Sequence, residues 1–197
     1  CKRNRYNFSS DKAAEIYTGA KDQIAMIPKD ALTKRLIRQA VDSLNSVSKT
    51  VEQLKAEMLK LASQLPEFHV VMEMHRVGDS LGPQLMAEIG DVTRFVHRGS
   101  ITAFAGVDPG ANQSSEREAK SVRTSKSGPP ELRRTLFLVM DGLLKSMPQD
   151  DPVYQFMDKK RSEGKTYLVY MTAGANKFLR IYYGRVKEYL ASLETAD

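Results

Sequence analysis

The stretch Ile37-Arg38-Gln39-Ala40-Val41-Asp42-Ser43-Leu44-Asn45-Ser46-Val47-Ser48-Lys49-Thr50-Val51-Glu52-Gln53-Leu54 opens a repeat that continues through Met58 and Leu61 to Leu65. Ile37, Leu44, Val51, Met58 and Leu65 fall seven apart, and Ala40, Val47, Leu54 and Leu61 follow the first four of them by three. Neither Gly nor Pro interrupts the run. This is an a/d seam held through four heptads, and such spacing places every seam residue on one side of a helix. Ser43, Ser46, Ser48, Lys49, Gln53 and Lys55 fall on the other faces, so something must cover the single apolar stripe. Two covers stay open: the chain's own domain, or a partner helix in a coiled-coil arm or hairpin. The arm reading sets a mainly α chain with an arm at 29–66, between a helical lead-in at 1–28 and a compact helical domain at 67–197.

Composition narrows the class. An apolar fraction of 41% supports a real core, and 27% charged residues is ordinary for a folded, water-exposed protein. The net charge of +6 and pI near 9.3 favour an anionic partner, most often nucleic acid. Cys1 is the only cysteine, so no intrachain disulfide, zinc cluster or CxxC redox pair can form, and a reducing intracellular setting fits. His69, His75 and His97 stand too far apart for a HExxH or HxxxH metal site and read as surface or helix-end histidines. No apolar run is long enough to span a membrane. The chain opens at Cys1-Lys2-Arg3 rather than at Met, which leads us to expect further protein upstream.

On the N-terminal side of the repeat, Ser9-Ser10-Asp11 supplies capping side chains for a helix with a weak apolar face. Pro66 is expected to end the long helix. After it, a short helix from about Phe68 and a second helix opening near Ser80 or Leu81 and closed by Gly90, about a turn centred on Gly78, read as a helix-hairpin-helix-like unit. Such a turn presents backbone N–H groups to a phosphate, which nominates Arg76 and Gly78 as contacts; a plain turn between core helices is the other reading. Asp91 caps a tight turn that tucks Phe95 inward, and Ser100 is expected to cap a short helix from Ile101 to Ala105.

Beyond Gly106 the character changes. Residues 106–128 are polar and rich in Gly, Pro and Ser, and fit a loop or short β-hairpin held between helices. Arg117, Lys120, Arg123 and Lys126, followed by Arg133 and Arg134, form a local cationic surface among hydroxyls. Sequence-independent binding of DNA phosphates is the minimal function it implies. Pro129-Pro130 then opens a core helix lined by Leu132, Leu136, Val139, Met140, Leu143 and Leu144. A helix over 153–161 with a basic end and a last helix from about Thr172 to Leu193 complete the domain, the latter expected to bury Ala175, Phe178, Leu179, Tyr182, Val186, Tyr189 and Leu193, with Lys177, Arg180, Arg185 and Lys187 on its other side.

A serine in such a loop attacks phosphorus only when a base takes its proton or nearby cations stabilise the charge that develops. The cations are present, and no spacing singles out a base. Here a resemblance adds to the chemistry. Leu85-Met86-Ala87-Glu88-Ile89-Gly90-Asp91 with Phe95; Phe104-Ala105-Gly106-Val107-Asp108-Pro109; Asn112-Gln113-Ser114; Ser125-Lys126 with Gly128; Leu132-Arg133-Arg134-Thr135-Leu136; and Asn176-Lys177-Phe178-Leu179-Arg180 occur in that order. Together they resemble the C-terminal domain of DEDD-type insertion-sequence transposases, recombinases that use a bridge RNA to choose target and donor DNA. The heptads are similar to that family's coiled-coil region.

The resemblance implies that Ser114 is the nucleophile and forms a covalent phosphoserine link to DNA. It implies Arg76, Gly78, Arg117, Lys120, Arg123, Lys126, Arg133 and Arg134 as DNA contacts. It further implies a homo-oligomer joined through residues 37–65, a bridge-type non-coding RNA as partner, and a bacterial, cytoplasmic, nucleoid-associated location. Mg2+ would sit in an upstream RuvC-like domain, with no metal held in this part. This chain alone would not complete strand exchange. Three departures stand out: Ser115 where the family has Gly, Ser127 in place of Arg, and His75-Arg76-Val77-Gly78 in place of a Pro-Gly-Val-Gly-like hairpin. Two rivals remain: a nucleic-acid-binding and dimerisation module without chemistry, and an element chiefly of assembly.

Overall fold

The computed structural model describes residues 10–21, 30–108 and 124–195 of the 197. The chain divides into two compact units, Cys1–Glu52 and Gln53–Asp197.

In the first unit, α1 (Ser10–Lys21) has no buried residue. The helix α2 (Ala31–Ala62) begins there and extends to residue 62. Its start follows from Asp30, whose carboxylate accepts the Thr33 N–H at 2.7 Å. That bond, with one from the Thr33 hydroxyl, holds the Asp30 carboxyl below its usual range. With no Gly or Pro inside, nothing stops α2 for 32 residues. It ends at Ala62, before Pro66, in turns that hydrogen-bond Gln64 N–H to Leu61 and Leu65 N–H to Ala62. The apolar seam is there as the heptads require, yet its large side chains from Ile37 to Leu65 are between 38% and 64% exposed.

The second unit is built around one helix. The elements before it are α3 (Phe68–Met72), α4 (Leu81–Ile89), a 3-10 turn at Val92–Arg94, α5 (Arg98–Ala105), α6 (Pro130–Ser146) and α7 (Pro152–Ser162). All but α4 pack closely on the last helix, α8 (Tyr167–Glu194), and α4 reaches it through α6 and α3. The reason is composition: Met171, Ala175, Phe178, Leu179, Tyr182 and Val186 recur on one side of α8, each at most 2% exposed. Burying a side chain of this size contributes about 1.5–3 kcal/mol. Gly174 sets the closest approach, because a Cβ there would stand 2.5 Å from Met157 Sδ of α7 and 2.9 Å from Met140 Sδ of α6. Buried Tyr182 keeps its phenol proton well above the usual range through desolvation.

Several local expectations are corrected. The helix expected to open at Ser100 starts at Arg98, because His97 Nδ1 accepts the Gly99 N–H at 3.0 Å and serves as the cap. The last helix begins five residues earlier than Thr172, at Tyr167. Leu193, expected inside, is 37% exposed. In the turn between α3 and α4 Arg76 is left-handed, at φ 65°. Asp91 does cap the following turn, accepting from the Thr93 hydroxyl and N–H, and those bonds hold its carboxyl below the usual range. Phe95 is 6% exposed and lies against Phe104, with Arg94 over both rings. Among the described residues no strand forms; Thr124 alone is a bridge residue.

Candidate nucleic-acid interface

The polar loop is fixed at both ends. Helix α5 stops at Gly106, left-handed at φ 64°, whose N–H bonds back to Ala103 and Thr102. Val107 is buried beside it. On the return side, Ser125 N–H donates to Asp108 O at 3.1 Å and Lys126 N–H to Gly106 O at 3.2 Å. The side chains repeat the link, since the Ser125 hydroxyl donates to Asp108 Oδ1 at 2.7 Å and lies 3.2 Å from the Ser127 hydroxyl. Gly128 then passes over α5 so closely that only a glycine fits. Pro129 and Pro130 open α6, and from its first turn Arg133 reaches back to donate to Gly128 O and, at 3.4 Å, to Ala105 O. Four of these bonds, three from Ser125 and Lys126 and one from Arg133 to Ala105, join the outgoing and returning feet of residues 109–123.

Beside these feet lies a groove of about 1010 Å³. One wall is a stripe of α8 that runs from Leu168 and Val169 through Thr172 and Ala173 to Asn176, Lys177 and Arg180. Arg98 at the start of α5, Val107, Thr124 and Lys126 at the loop feet, Phe156 of α7 and Ile181 of α8 complete it. Lys177 Nζ stands 4.8 Å from the centre of the Phe156 ring, a cation–π contact that leaves its charge in place. Four cations thus border the groove, and no described lining residue is a carboxylate. The ion pairs among the described residues, His75–Asp150, Lys145–Asp141 and Lys160–Glu163, involve none of the four. Such a cluster attracts an anion, and its field is strengthened by the low-dielectric walls.

The expected site residues are distributed unevenly. Ser114, Arg117, Lys120 and Arg123 lie outside the described residues. Lys126 is exposed, left-handed at φ 51°, and belongs to the groove. Arg133 and Arg134 separate: Arg133 is half-buried on the loop's carbonyls, while Arg134 is exposed. Arg76 and Gly78 are exposed in the turn between α3 and α4, where Arg76 Nε would lie 3.1 Å from a Cβ on Gly142 of α6; neither lines the groove. The histidines do structural work: His97 caps α5, His69 meets Tyr189 edge-on at 4.5 Å, and His75 lies 3.8 Å from Asp150. Sequence reasoning missed Arg98 and read Lys177 and Arg180 as one basic face among several. The available signal was their spacing of three on α8, beside the Asn176 whose amide reaches Val107 O at 3.5 Å.

Residues 68–155 match the model of the transposase IS116/IS110/IS902 family. This matched segment runs from α3 into α7 and contains the loop and both its feet. The match covers under half of the chain and supports an insertion-sequence transposase. A search of curated proteins finds no match. No helix among the described residues is long and apolar enough to cross a membrane.

Proposed function

We propose that this chain is the part of a DNA transposase that holds DNA phosphates in the groove bordered by Arg98, Lys126, Lys177 and Arg180, and that supplies Ser114 as the nucleophile for strand cleavage and exchange. One observation carries the reading: the segment that matches the transposase family contains a loop whose feet are clamped against a groove with four cations and no described carboxylate. A clamp of this kind fixes the two ends of residues 109–123 beside the groove and lowers their conformational entropy before any phosphate is bound.

The chemistry is transesterification. Ser114 Oγ attacks phosphorus, its proton passes to a base, one P–O bond forms as another breaks, and a sugar oxygen leaves as a hydroxyl after taking up a proton. The phosphodiester is kept as a phosphoserine ester, so the reverse attack by another strand's hydroxyl reseals the DNA. Cations beside the phosphate stabilise the charge that builds on its oxygens. The resemblance assigns magnesium to four carboxylates of an upstream RuvC-like domain. Among the described residues no group of three or more His, Cys, Asp and Glu could hold a metal ion. A bridge-type RNA would select the DNA, and the exposed seam of α2 would join copies of the chain through residues 37–65.

Trapping tests the nucleophile. Full-length protein incubated with its element ends, bridge RNA and magnesium should give a covalent protein–DNA adduct that Ser114→Ala abolishes. An adduct of undiminished yield in that variant would sink the assignment. Salt-sensitive DNA binding with no adduct from either protein would leave a binding module without chemistry.

A further inference from the structure

Phosphate attraction explains only part of the groove. Along α8 the lining changes character in order: Leu168 and Val169 first, then Thr172 and Ala173, then Asn176, and last the cations Lys177 and Arg180 with Ile181 beside them. At the helical rise this stripe covers about 18 Å. Leu168 is 66% exposed and Val169 47%, although they belong to the helix around which the domain is built. A surface that bound duplex DNA through phosphates alone would have no use for an apolar end, since duplex bases are stacked and paired inside two charged strands.

An unpaired strand presents what this groove lacks. Its phosphates suit the cationic end, its base faces suit the apolar end, and its freed base edges can bond the amide and hydroxyl groups of Asn176 and Thr172 between them. We infer that the groove takes unpaired nucleotides, with phosphates at Lys126, Lys177 and Arg180 and bases on Leu168 and Val169. The inference rests on the reading of the groove as the nucleic-acid face, and it adds the form of nucleic acid bound there. Charge complementarity selects this occupant over an acidic or apolar protein segment: four cations border the groove, and the exposed pair Leu168 and Val169 lies at the end of the α8 stripe away from Lys177 and Arg180.

The sign of one comparison tests it. A purely electrostatic groove prefers duplex, whose charge density is higher and whose binding releases more counterions per phosphate, with salt slopes of about 0.9 against about 0.7 per contact. Binding of the full chain to a fluorescein-labelled DNA single strand and to the duplex it forms with its complement is measured at one salt concentration. The single strand is expected to bind about tenfold more tightly. Leu168→Gln combined with Val169→Thr should remove that preference and leave duplex affinity within about twofold, while Lys177→Gln with Arg180→Gln should weaken both ligands. Leu168→Ala, checked by circular dichroism, serves if the double variant misfolds, and should lower the preference in part.

Equal or tighter binding of the duplex would overturn the inference and leave the phosphate-binding reading intact. Failure of both ligands to bind at low salt would overturn both. A single-strand preference that survives the variants would give the apolar end to another occupant, whether residues 109–123 or a second copy, and would also overturn it.

Discussion

A Cβ built on Gly128 would stand 1.7 Å from the carbonyl oxygen of Phe104, inside the closest approach any two such atoms can make. The contact is between backbones, so no rotamer change relieves it. It lies where the returning foot of the loop crosses the end of α5, two residues before Gly106, whose own built Cβ would meet Ser127 N at 2.8 Å.

Gly128→Ala is therefore expected to cost about 3 kcal/mol or more, the range reserved for backbone clashes and lost networks. For a domain of this size that loss lowers Tm by about 6–12 °C. Gly184→Ala provides the contrast, since nothing lies within 4 Å of a Cβ there and the residue sits inside α8. It should leave Tm unchanged or raise it, by up to about 1 kcal/mol of helix propensity. Thermal melts of the two variants check the pair, and equal losses in both would refute the close crossing.

Arg133 and Arg134 are adjacent and chemically identical, and the fold gives them opposite work. Arg133 donates to Gly128 O and Ala105 O, whereas Arg134 is exposed and makes no hydrogen bond or ion pair among the described residues. Arg133→Ala is expected to lose about 1.5–3 kcal/mol of stability, the usual worth of a charged donor to a carbonyl. Arg134→Ala should stay within about 0.5 kcal/mol of the parent. If Arg134 contacts DNA, its loss flattens the salt dependence of binding by about 0.9 log units per log unit of salt. Urea melts and a salt titration of each variant separate the two roles. A stable Arg133→Ala variant would mean that the clamp does not need its guanidinium.

The same pair shows where sequence is legible and where it is not. Periodicity and breakers are local, so α2, the proline-led start of α6 and the buried face of α8 could all be read from residue spacing. Helix starts were less secure where an unusual residue held the cap, as His97 does ahead of Ser100. Tyr167, Leu168 and Val169 are helical but exposed, so they carry no burial pattern to announce them. The groove was invisible for a deeper reason. Its cations come from α5, a loop foot and α8, at positions 98, 126, 177 and 180, and only tertiary packing brings them to one border. Arg133 and Arg134 likewise differ by a rotation about α6, which decides whether a guanidinium faces two carbonyls or water.

The exposed seam of α2 gives the last prediction. Its large apolar residues are solvent-facing, and Leu44 and Val51 are 57% and 43% exposed in the single chain. Replacing both with Glu costs an isolated helix little, because Glu is a good helix former. It is costly only if the seam is covered by another copy, since each buried residue of this size contributes about 1.5–3 kcal/mol to association and a charge at an a position must then be desolvated. Sedimentation at micromolar concentration should therefore show an associated parent and a monomeric Leu44→Glu, Val51→Glu variant. The parent's melting should depend on protein concentration and the variant's should not, because association stabilises only the folded form by mass action. A parent that sediments as a monomer would leave the seam without a second copy as its cover, and the 37–65 interface would have to be given up.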